Sequence, residues 1–110
     1  MTLTEIVDRL DLKVFAAAGR LGRPVRGGYA GDLLSDVIAH GRTDDLWVTI
    51  QVHPNIVAVA VLKELAAVVI ANGREPNAET IAKADREGLP LLGAAISAYE
   101  LIGRLHELGL

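Results

Sequence analysis

At 110 residues the chain has the length of one domain built round a single core. A hydrophobic content of 51% with 23% charged residues excludes disorder, and a net charge of −3 with scattered basic residues leaves no electrostatic footprint for nucleic acid. The absence of cysteine excludes a disulfide framework, thiolate zinc sites and iron–sulfur ligation.

The opening "MTLTEIVDRLDLK" has acidic residues where a signal peptide would be basic and no apolar run of its own, which points to the cytoplasm. It predicts a helix over about Thr4 to Leu10, with Thr2 or Thr4 as cap, Glu5 in the first turn, and Ile6 and Leu10 four apart. "LKVFAAA" (12–18) follows as a strand, "GRLGRP" as a turn, and "VRGGYAG" as a second extended segment. Gly27 and Gly28 there suggest a bulge or a close backbone approach, and the two strands are expected to form a hairpin. "GDLLSDVIAHG" (31–41) reads as a short helix with Asp32 as cap and Gly41 as stop.

"TDDLWVTIQ" then gives a strand, "PNIVAVAVLKEL" a helix with Pro54 at its first position, and "AAVVIANG" a buried strand. The apolar stretch 56–71 is interrupted by Lys63 and Glu64, short of the roughly 18 to 20 residues a membrane span needs. After the turn "NGREPN", "NAETIAKADREG" is an amphipathic helix capped by Asn77 and stopped by Gly88. "LPLLG" is a strand, and "SAYELIGRLHELGL" a helix with a capping box of Ser97 and Glu100. The alternation of strands and helices predicts a three-layer α/β/α fold with a mostly parallel sheet. So large an apolar share in so short a chain predicts a further covered surface, most simply a homodimer.

The segment "WVTIQVHPN" (47–55) carries the candidate site. Its alternation puts Val48, Ile50 and Val52 on one face and Trp47, Thr49, Gln51 and His53 on the other, which is then wet, hydrogen-bonded or covered by a polar partner. His53 falls at the carboxyl end of the strand, where α/β sheets hold ligands, as N-cap over the free amides of Asn55, Ile56 and Val57. Thr49, Gln51, His53 and Asn55 are thus candidate ligand-binding residues for a phosphate or carboxylate. The same pattern also fits an edge or dimer surface with His53 as a plain cap. His40, beside Gly41, suits a helix C-terminus, and His106 lies on a solvent face. No HxH, HExxH, GxSxG, GxGxxG or GxxxxGK[ST] pattern occurs, so no metal, cofactor, acyl-transfer or nucleotide-hydrolysing chemistry is indicated.

"VRGGYAGDLLSDVIAH", "DDLWVTIQVHPNIVAVAVLKELAAVVIANG" and "ADREGLPLLGAAISAYELIGRLHELGL" together resemble the DRTGG domain family, in particular stand-alone members similar to the N-terminal region of HPr serine kinase. "GDLLSDVI" and "TIQVHPNIVAVAVLKELA" carry the resemblance most specifically; the DRTGG pentapeptide itself is absent. The resemblance implies a fold akin to the N-terminal domains of HPr kinase and the Mur ligases, and a regulatory or ligand-sensing module without catalysis. In larger members the domain sits beside phosphotransacetylase or between CBS domains of nucleotide-regulated pyrophosphatases and helps make dimers. Kinase activity is not expected, because the kinase's phosphate-binding loop belongs to a separate domain.

The expectation is therefore a non-catalytic, homodimeric sensing or interaction module. Its partners would be a nucleotide or other anionic small molecule, or a partner protein, with neither nucleic acid nor membrane. The competing reading is a small enzyme or transfer protein acting on a phosphorylated or carboxylated molecule through His53, with Thr49 and Gln51; no acid/base partner stands at readable spacing.

Overall fold

A computed structural model describes residues 1–110. The elements, in order, are α1 (Leu3–Leu10), β1 (Lys13–Ala16), β2 (Gly27–Ala30), α2 (Leu34–His40), β3 (Asp45–Thr49), α3 (Asn55–Leu62), β4 (Ala67–Ile70), α4 (Ala78–Glu87), β5 (Leu91–Gly93) and α5 (Ala98–Glu107). The five strands form one sheet in the order β1-β5-β4-β3-β2. β2 to β5 run parallel in steps of one strand, and β1 lies antiparallel to β5.

This is the expected α/β/α sandwich. Alternate residues of the central strands feed two cores: Leu46, Val48, Val69 and Leu92 join Leu3 and Ile6 of α1 and Leu101 and Leu105 of α5. Trp47, Val68, Ile70 and Leu91 join Val37 of α2, Ile56 and Val57 of α3, and Ala84 of α4. Each fully buried Leu, Ile or Val removed from water is worth roughly 1.5–3 kcal/mol, so both faces of β3 and β4 are strongly held. No helix is long and apolar enough to cross a membrane.

Local signals explain the helix ends. Thr2 and Glu5 form a complete capping box on α1, and Gly88 ends α4 at φ 67°, a conformation glycine adopts without strain. Ser97 accepts from the Glu100 amide at 3.2 Å, but the Glu100 carboxylate takes Arg104 at 2.9 Å, so the expected capping box on α5 is only half made.

The expected hairpin of the first two strands is not formed; β1 and β2 occupy opposite edges. The connecting backbone is bonded to the start of α1 instead: Leu3 N donates to Arg23 O, Thr4 N to Leu21 O, and Val25 N to Met1 O. Those bonds hold the segment against the start of α1 as the chain passes from the β1 edge to the β2 edge. The close approach expected near Gly27 is real, since a Cβ there would stand 3.0 Å from Asp45 Oδ1. The bulge lies in β1, between Val14 and Ala16, while β2 keeps regular register with β3.

Candidate functional site

β3 ends at Thr49, and all five of its residues are buried. The polar face expected over residues 47–53 is therefore not a wet strand face. Trp47 is fully buried, its Nε1 donating to Gly31 O at 2.8 Å, and Thr49 is 2% exposed with its hydroxyl donating to Asp32 Oδ1 at 2.8 Å. Past Thr49 the chain leaves the sheet, and Gln51 and His53 project from the β3–α3 loop.

Asp32 organises this end of the sheet. Its Oδ1 also accepts from Ile50 N at 2.9 Å, and its backbone carbonyl accepts from Gln51 Nε2 at 2.8 Å. It does not cap α2, whose N-cap is Leu33 with no side-chain hydrogen bond. The strand end offers it a buried hydroxyl and an unpaired amide in place of a solvated helix start.

On the other side, Val52 O accepts from Asn77 N at 3.1 Å and from the fully buried Thr80 hydroxyl at 2.7 Å, tying the loop to the start of α4. His53 Nδ1 lies 2.9 Å from Asn77 Nδ2. With the amide donating, Nδ1 accepts and the neutral ring carries its proton on Nε2. Asn77 stands at the N-cap of α4, but its side chain makes no capping bond. His53 is not the cap of α3: Pro54 holds that position at φ −59°, and the Ile56 amide closes on the His53 carbonyl at 3.2 Å.

The β4–α4 loop supplies the charge. Asn72 and Gly73 take φ 64° and 65°, and Arg74 N returns to Ala71 O at 3.3 Å, the pattern of a type I′ turn. Asn72 N donates to Ile96 O and Gly73 N to Ala94 O, both at 2.8 Å, so the turn is pinned to the loop after β5. Arg74, presented by this fixed turn, makes no ion pair with any carboxylate.

Asp32, Ile50, Gln51, Val52, His53 and Arg74 line a crevice of about 190 Å³ at the carboxyl ends of β3 and β4. Of the four residues singled out in the sequence, Gln51 and His53 line it, Thr49 lies beneath and supports it through Asp32, and the exposed Asn55 is outside its lining. Arg74 and Asp32 were missed: "NGREPN" reads as a turn and Asp32 as a helix cap. The "NG" pair does forecast a tight turn that fixes the residue after it, but nothing local marks the role of Asp32.

A larger concavity of about 1130 Å³ is an open groove between α1 and α5. Its Arg104 is already paired with Glu100, and Tyr99 beside it stands 91% exposed, so no convergent polar set marks it as a small-molecule site. A separate titratable cluster joins β2 to α2. The Tyr29 hydroxyl donates to Asp36 Oδ2, and His40 Nδ1 lies 3.2 Å from Asp36 Oδ1. That hydrogen bond, with smaller help from desolvation and nearby carboxylate charge, pushes the Tyr29 pKa up to about 12.

No protein-family model matches this sequence, and no curated protein matches it. Among solved structures the fold is shared with the CBS and DRTGG domains of the regulatory region of Clostridium perfringens pyrophosphatase, a crystal structure complexed with an activator, diadenosine tetraphosphate. The TM-score is 0.73 at 13% identity over 93% of this chain, which spans 44% of that structure's chain. The likeness is one of fold, in keeping with the α/β architecture implied by the DRTGG resemblance.

Proposed function

We propose that this domain is a non-catalytic, homodimeric regulatory module that senses a nucleotide or comparable anionic metabolite at the crevice between Asp32, Gln51, His53 and Arg74. The observation that carries the reading is Arg74, a guanidinium held out by a pinned turn with no carboxylate to neutralise it, lining the same crevice as His53. Asp32 Oδ2 accepts no hydrogen bond from the protein and is free to take a hydroxyl. Donors for an anion beside an acceptor for a hydroxyl suit a phosphorylated sugar. A volume near 190 Å³ takes a phosphate and its neighbouring hydroxyls, with the rest of a nucleotide lying across the surface. The shared fold with a pyrophosphatase regulatory region in complex with a dinucleotide supports the same class of ligand.

Calorimetric titration with ATP, ADP, inorganic phosphate and diadenosine tetraphosphate tests the reading. The expected result is saturable binding of at least one, weakened about 10-fold or more by Arg74→Ala, since a charge-assisted bond contributes about 1.5–3 kcal/mol. Absence of binding by all four, or binding indifferent to Arg74→Ala, removes the crevice as the sensing site and leaves the surface to a partner protein. Turnover of a bound phosphate ester, lost in His53→Ala, would establish the competing enzymatic reading.

A further inference from the structure

The two edges of the sheet are defended unequally. An edge strand presents unpaired backbone N–H and C=O groups, and proteins blunt it with lysine, proline, a bulge or a covering element. β1 carries exposed Lys13, breaks its register between Val14 and Ala16, and has α4 packed against it. β2, of the same four-residue length, has no lysine or proline and keeps unbroken register with β3. On the face opposite α2, α5 packs on β3 and leaves Gly28 and Ala30 exposed. An apolar groove of about 300 Å³ runs there, walled by Leu46, Val48, Ile102, Leu105 and Leu110.

The occupant follows from the strand's own sequence. Arg26-Gly27-Gly28-Tyr29-Ala30-Gly31-Asp32 is complementary to itself run backwards. In an antiparallel pair centred on Tyr29, Gly28 stands opposite Ala30 and Arg26 opposite Asp32, placing small residues together and opposite charges at both ends. Gly31 N donates inward to Val48 O, in register with the Tyr29–Trp47 pairing, so by alternation the Tyr29 N–H and C=O face β3. Those of Gly28 and Ala30 face outward, free to form hydrogen-bonded 28–30 pairs on either side of a central Tyr29. Arg26 is 78% exposed, and its 3.4 Å contact with Asp44 leaves it reach.

The geometry points to a twofold homodimer in which β2 of two copies pairs antiparallel about Tyr29, making one continuous sheet and covering both grooves. The inference specifies the dimer of the proposed function and rests on that part of it. Arg26 of one copy then stands beside the Asp32 that borders the other copy's crevice, adding a cation to its rim.

The chain has no cysteine, so single cysteines report the register directly. Opposed residues of an antiparallel pair lie about 4.5–5.5 Å apart at Cα, within disulfide range. Gly28 has room for the change, since a Cβ there would meet nothing nearer than Leu46 O at 3.6 Å. Mixing Gly28→Cys with Ala30→Cys under mild oxidation is expected to give the mixed disulfide in excess over either like pair. In sedimentation equilibrium the unaltered chain is expected to be a dimer and Ala30→Lys a monomer with an unchanged circular dichroism spectrum. Gly28→Glu combined with Ala30→Lys is expected to restore the dimer. A dimer that survives Ala30→Lys, or one that yields no 28–30 cross-link, overturns the β2 edge while sparing the dimer. An unaltered chain that is monomeric throughout overturns both.

Discussion

Residues 45–49 and 50–55 adjoin in the chain and alternate apolar and polar side chains alike, yet one half is core and the other surface. In the first half a polar atom is hidden once its bond is made: the indole N–H of Trp47 and the hydroxyl of Thr49 both find acceptors on the loop after β2. In the second half the backbone carries the anchoring, through Ile50 N, Gln51 N and Val52 O, which leaves the side chains of Gln51 and His53 facing the crevice. Alternation alone does not tell a buried polar residue from an exposed one; the supply of partners from neighbouring loops does.

The largest effect belongs to the packed half. Trp47→Ala is expected to cost about 3–5 kcal/mol through the cavity and lost burial of a fully enclosed indole, read by urea unfolding followed by circular dichroism. A cost below about 1 kcal/mol would place Trp47 outside the core. At the junction, Asp32→Ala strips the acceptor from the Thr49 hydroxyl and the Ile50 amide and is expected to cost about 1–3 kcal/mol. Asp32→Asn, which keeps one acceptor oxygen, is expected to retain most of that stability. Equal losses in the two variants would assign the effect to charge.

The packed half can also be loosened from alongside, through Tyr29, which is the register partner of Trp47. The Tyr29 pKa of about 12 when folded exceeds its ordinary 10.0, so the folded state holds the proton more tightly. Its contribution to stability is complete below pH 10 and is lost as pH rises toward 12. Tyr29→Phe should remove that slope, and chemical unfolding of both proteins across the range checks it. The smallest effect on stability is expected in the polar half: His53→Ala should stay within about 0.5 kcal/mol of the unaltered chain. Its affinity for an anionic probe should nevertheless fall on the order of 10-fold. A substantial stability loss with unchanged affinity would make His53 a structural residue.

Much of the architecture was legible because it is written locally. Thr2 or Thr4 ahead of Glu5, Gly88, and the buried run of β4 each declare themselves within a few residues, whereas the full burial of β3 does not. The partner of β1 was not legible, since the hairpin reading assumes that adjacent strands pair, and the backbone bonds from α1 to residues 21–25 override it. The site was half legible for the same reason. Gln51 and His53 belong to the segment whose pattern drew notice, whereas Asp32 and Arg74 arrive from two other loops whose local sequence suggests only a cap and a turn.

The singly stepped order of β2 to β5 bears on how the molecule assembles. Each of those strands docks beside its predecessor after a single helical crossover, so the contacts close over short stretches of chain. β1 is the exception: Lys13 meets Gly93 across about 80 residues, a closure whose entropy is recovered only when the rest of the sheet is in place. The guarded edge is thus expected to be the last strand added on folding and the first released on unfolding.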